Sequence, residues 1–210
     1  MAKKKAHAGS ALREQIAAEA ARIMVESGNP SYLIAKKKAA QRLGAADGHA
    51  LPNNEEIERA IGEYQRLFLA DTQPGHLRRL REAGLQAMRL LEPFGPRLVG
   101  PVLEGTADHY SEVNLHVFAD AVEDVGLYLM NHGIPSDLST RRLREPGGAN
   151  VEQPEYRFVA GDVPLGVTVF WGPSARQPPV SPVDGRPMRR ASMKQVEALL
   201  AEPGDAGLLA

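Results

Sequence analysis

The hydrophobic period of this chain changes near residue 95, and that change limits what it can fold into. Upstream, apolar residues recur every three or four positions. Leu12, Ile16, Ala20, Ile23 and Met24 make one stripe, and Ile57, Ile61, Tyr64 and Phe68 make another. Downstream, residues 112–118 alternate strictly. Val113, Leu115 and Val117 share one face, and Glu112, Asn114 and His116 share the other. Helical spacing followed by strand spacing predicts an α+β chain, with an N-terminal helical region leading into a small mixed β-sheet domain with flanking helices.

Capping residues and breakers divide this pattern. Ser10 reads as the cap of the first helix, ended by Gly28 and Pro30. Ser31 opens a second helix that reaches Leu43 and carries Lys36, Lys37 and Lys38, and a loop follows at 44–52. Asn53 with Glu56 three residues on forms a capping pair for the third. Pro74 and Gly75 precede a fourth, with Leu77, Leu80, Gly84, Met88 and Leu91 facing inward. Strands are expected at 97–103, 112–118, 134–144, 156–160 and 163–170, with a helix at 120–132 and a hairpin turn at Gly161-Asp162. A Pro-rich stretch at 173–187 leads to a last helix capped by Ser192 and Gln195. The organisation read from this is a disordered basic tail at 1–9, a helical region at 10–93, an α/β domain at 94–202 and a flexible tail at 203–210.

Composition narrows the chemistry. Cysteine is absent, which removes disulfides, thiolate metal sites and cysteine nucleophiles together. No apolar run approaches the roughly 20 residues of a membrane span, and no apolar segment follows the basic start, so a cytoplasmic address with no membrane partner is expected. There is no P-loop, dinucleotide-binding glycine fingerprint, nucleophile elbow or zinc motif. Charge is uneven although the net value is −1. Residues 98–140 hold Glu104, Asp108, Glu112, Asp120, Glu123, Asp124 and Asp137 and no Lys or Arg, whereas arginine returns at 141, 142, 144, 157, 176, 186, 189 and 190. An acidic site beside a basic rim suits a metal and a phosphorylated ligand.

Residues 98–118, LVGPVLEGTADHYSEVNLHVF, bring these elements together. Gly105-Thr106 is a small turn, Ser111 precedes the alternating strand, and Glu112 and Asn114 stand two apart on one face of it. The segment resembles the signature of the nucleotidyltransferase superfamily with the polymerase-beta-like fold. There a Gly-Ser turn holds nucleotide phosphates, and two acids separated by one apolar residue hold divalent ions for phosphoryl transfer. The resemblance implies phosphate binding at Gly105, Thr106 and Ser111 and catalytic, metal-holding positions at Glu112 and Asn114, with Mg2+ as the cofactor. Asn114 supplies no anionic oxygen, so the metal would be held weakly. The nearest later acids, Glu155 and Asp162, both read as strand ends. Arg141, Arg189 and Arg190 are the expected phosphate contacts, and His116 is a further candidate on the same face.

These residues point to a nucleotidyltransferase-like protein that binds a nucleotide or phosphorylated ligand with weak or no transferase activity. If it is an enzyme, it is a divalent-metal-dependent nucleotidyltransferase. Two other functions compete with this one. The chain can be a noncatalytic interaction protein that meets a protein partner through its N-terminal helices, or a nucleic-acid binder acting through their basic residues. The alternation at 112–118 also suits an ordinary half-exposed strand with one solvated face.

Overall fold

The computed structural model describes the backbone of residues 2–28, 31–45, 51–175 and 177–202, and their side chains apart from 2–9, 173 and 174. The expected tail at 203–210 and residues 46–50 of the expected loop lie outside the described residues. Among the described residues the chain forms seven α-helices and one five-stranded mixed sheet. None of the helices is long and apolar enough to cross a membrane. The chain divides into two compact units, Met1–Gln73 and Pro74–Ala210, rather than at 93/94. The reason is that the fourth helix buries its apolar stripe in the core of the sheet.

The first unit holds α1 (Ala2–Ser27), α2 (Tyr32–Arg42) and α3 (Asn54–Phe68). Helix α1 begins at Ala2, so the segment expected as a disordered tail is helical, and Ser10 lies inside the helix, donating to Glu14 rather than capping. Ile16, Ala20, Ala35, Ala39 and Ile57 are fully buried together, and the alanines let the backbones approach closely. Ser31 caps α2 and the Asn53–Glu56 capping box opens α3, both as their sequence positions predict. Glu56 also pairs with Arg13 at 2.8 Å.

The second unit holds α4 (Gln73–Leu90), β1 (Arg97–Val99), α5 (Pro101–Glu104), β2 (Val113–Phe118), α6 (Val122–Asn131), β3 (Asp137–Arg144), β4 (Asn150–Ala160), β5 (Val163–Phe170) and α7 (Met193–Ala201). The strands lie in the order β1-β2-β5-β4-β3. β2 and β5 are parallel, and the other neighbours are antiparallel. The strand expected at 97–103 stops at Val99, because Gly100 turns to a φ of 73° and Pro101 opens a helical turn. Strand β4 begins at Asn150 rather than 156. Its ladder to β5 starts only at Glu155, so Pro154, which has no N–H, stands where that ladder has not begun.

One face of the sheet is apolar. Val113, Leu115, Val117, Val167 and Val169 are fully buried in a core shared with α4, α6 and α7, and each such side chain contributes about 1.5–3 kcal/mol. Helix α6 sits so close that a Cβ on Gly126 would stand 2.5 Å from the Tyr156 hydroxyl, which donates to the Val122 carbonyl. Alanine at this position gains about 1 kcal/mol of helix propensity but drives a rigid buried ring out of place. Gly126→Ala is therefore expected to lose about 1–3 kcal/mol in chemical denaturation. An unchanged or raised midpoint would show that the ring moves aside freely.

Candidate functional site

The second face of the sheet is polar but closed. The polar residues of β2 do not meet open solvent: Asn114 is 7% exposed beneath Arg141, and His116 is 2% exposed against Arg190 and Phe170. The half-exposed strand allowed by the alternation is thus not what forms. Register carries the polar face across the sheet. Asn114 stands opposite Gly166, His116 opposite Thr168, Thr168 opposite Glu155, and Gln153 opposite Arg141.

Arg141 is the centre of the first cluster on this face. Its Nη1 lies 2.7 Å from Glu155 Oε1 and 3.4 Å from Glu112 Oε1, and it donates to Asn114 Oδ1. Thr168 donates to the same Glu155 oxygen, and Arg157 pairs with the other oxygen of Glu112. Two carboxylates and one amide thus converge on a guanidinium, and the Glu155 side chain is only 5% exposed. Gly166 makes room for them, since a Cβ there would stand 2.9 Å from Glu155 Oε1 and 3.5 Å from Asn114 Oδ1. Gly100 does the same from the other side, 3.6 Å from Asn114 Nδ2.

Arg190 is the centre of the second cluster. Its guanidinium carbon lies 4.8 Å from the ring centre of Phe170 and 5.1 Å from that of Phe118. Its Nε donates to His116 Nδ1 at 3.1 Å and its Nη1 to the Ala175 carbonyl, while Nη2 is buried with no partner. Burial, then Arg190, then Arg141 push the His116 pKa down to about 3, so the ring is neutral and able to accept this bond. Burial and nearby Arg97 also lower the proton affinity of Arg190.

The remaining expected site residues are placed differently. The N–H groups of Gly105 and Thr106 both donate to the Pro101 carbonyl, and the bend lies against Arg81 and Leu77 of α4. A turn whose N–H groups close its own helical turn is not set up as a phosphate cradle. The Ser111 hydroxyl exchanges hydrogen bonds with Asp108 and fixes the approach to β2. Arg189 pairs with Glu104, and Arg142 with Glu152 at the surface. The expected basic rim is split: strand alternation brings Arg141 to the polar face and turns Arg142 outward, while on the segment before α7 Arg190 reaches the same face and Arg189 pairs with Glu104. Arg157 and Gly166 were not expected there. Glu155, one of the two nearest later acids, lies inside β4 rather than at its end, because the strand begins at Asn150. The signal that finds it is the alternation of Tyr156 and Phe158, which extends backward through Pro154.

A divalent ion is the group that the family resemblance implies. Its ligands on this face would be Glu112, Asn114 and Glu155, and their oxygens already converge on Arg141. Among the described residues no group of three or more His, Cys, Asp or Glu side chains is placed to hold a metal. The arrangement does not fit a resident ion, because a guanidinium takes the position an ion would need. No known protein family, curated protein or solved structure matches the chain.

Proposed function

We propose that this chain is a nucleotidyltransferase-like binding protein for a phosphorylated ligand, a nucleotide being the class its motif suggests, and that it holds that ligand without transferase chemistry. The observation that carries the reading is Arg190. Its guanidinium has no carboxylate partner among the described residues, and its Nη2 is buried with nothing to accept from it. Burying an unpaired cation is costly, and an incoming anion relieves that cost. Guanidinium forks match phosphate oxygens, and Arg97 adds a second positive charge nearby. The loss of transfer follows from Arg141. With its charge among Glu112, Asn114 and Glu155, the carboxylates that would hold catalytic ions serve instead to hold an arginine.

The expected result is that inorganic triphosphate or ATP raises the unfolding midpoint in the presence of EDTA, and that Arg190→Gln abolishes the rise. Should every phosphorylated compound leave the midpoint unchanged, the reading is wrong. A second reading has one observation in its favour. Leu33 and Ile34 on α2 and Leu67 and Phe68 at the end of α3 are 57%, 45%, 75% and 68% exposed, which suits a protein partner for the helical unit. The nucleic-acid reading draws less support. Arg13, Arg22 and Arg42 are paired with carboxylates, and Lys36 donates inward to Pro52 and Asn54.

A further inference from the structure

We infer that the sheet unit carries a second binding site, a pocket for a small uncharged planar molecule that presents a hydrogen-bond donor beside an acceptor, read by the side-chain amide of Gln153. The site stands on its own observations and does not need the phosphate reading. A cavity of about 260 Å³ opens where the end of β3 and the segment after β5 come together. Leu143, Val151, Pro179 and Phe170 form its apolar walls. The segment over it is fastened rather than loose: Val180 donates its N–H to the Arg144 carbonyl, and Met188 donates back to Pro179. Gln153 on β4 projects among these walls and is only 5% exposed, yet its Oε1 has no partner. Its neighbours on the face do not relieve it, because Arg141 and Glu155 bond to one another.

Buried side-chain amides are paired in the great majority of folded proteins, so an unpaired one facing a cavity marks a place where a partner belongs. The amide offers an acceptor and a donor side by side, and its complement is the edge of another amide, a lactam or an amino-substituted nitrogen heterocycle. The walls select the rest of the molecule. An apolar cavity of about 150 Å³ admits benzene, so this one has room for a single ring with a polar substituent. Opposite charges flank it. Glu145, the one ionisable side chain lining it among the described residues, opposes an anion, and Arg190, stacked on the Phe170 ring, opposes a cation. A neutral ligand suits both.

The test uses the full chain, labelled with nitrogen-15, and a panel of single-ring probes. Benzamide, 2-pyridone and 2-aminopyrimidine are expected to move the Gln153 side-chain NH2 signals in a saturable way, and toluene and benzoate to bind more weakly. Gln153→Leu is expected to weaken benzamide binding roughly tenfold, the cost of one lost buried pairing. The variant's unfolding midpoint should hold or rise, because it removes an unpaired amide. Three results would each overturn the proposal. One is toluene or benzoate binding as well as benzamide, which marks a merely greasy cavity or an anion site. Another is a Gln153→Leu protein that binds benzamide unchanged. The last is a Gln153 signal that no probe shifts, which leaves the cavity to water. The comparison among probes on the unaltered protein stands even if the variant folds poorly.

Discussion

Arg141→Ala is expected to destabilise the sheet unit by about 3 kcal/mol, because it strands a buried carboxylate. Glu155 is 5% exposed and draws its closest positive charge from Arg141 at 2.7 Å, while Arg157 approaches it only to 4.0 Å. Arg157 keeps the loss near the low end of what breaking a buried ion pair costs. The loss should come from the abandoned carboxylate rather than from missing side-chain bulk, and a double variant separates the two. Arg141→Ala with Glu155→Gln is expected to regain more than about 1 kcal/mol over Arg141→Ala alone, since the buried group no longer carries charge. Vacating the guanidinium also frees oxygens of Glu112 and Asn114, at the start of β2, and of Glu155 on β4. Hard divalent cations take such oxygens, so millimolar magnesium or manganese is expected to raise the midpoint of Arg141→Ala and leave the unaltered protein unmoved. Equal metal responses in both proteins would show that Arg141 does not stand in an ion's place. A double variant no better than the single one would refute the stranded-charge account.

How much of this was legible beforehand depends on which physical rule governs each residue. The alternation of Val113, Leu115 and Val117 put Glu112, Asn114 and His116 on one face, and strand geometry leaves no other outcome. Caps at Ser31, Asn53 and Ser192 were equally plain, since each satisfies orphan N–H groups from within a few residues. The cluster around Asn114 was not legible. Arg141 comes from β3 and the Glu155 carboxylate it also holds comes from β4, and strand order and register are long-range properties that no local spacing encodes. The role of the Gly105-Thr106 bend is not legible for a similar reason. A glycine at a helix C-terminus serves as a cap and as a phosphate cradle with the same residue type, and only the destination of the N–H groups separates the two. Arginine spacing is no guide either, because Arg189 and Arg190 are adjacent in sequence and go to different partners.

Acidification is expected to unfold this protein through His116. Its folded-state pKa is pushed down to about 3, against an ordinary value of 6.5, first by burial and then by Arg190 and Arg141. A depressed histidine favours folding fully above the unfolded value, where neither state binds the proton. As pH falls below about 6 the unfolded chain protonates and the folded one does not. Stability then drops by about 1.4 kcal/mol per pH unit until the folded value is reached. The ring cannot take up its proton in place, because Nδ1 accepts from Arg190 and two guanidiniums lie within electrostatic reach. His116→Gln keeps an acceptor for Arg190 and does not titrate. Urea midpoints of the two proteins between about pH 7 and pH 4 are expected to run together at the top of the range and diverge by a few kcal/mol at the bottom, with the variant the more stable. Parallel profiles would mean that His116 is solvated and has no hold on Arg190. Divergence ties that guanidinium to a ring that stays neutral in the folded protein across this range.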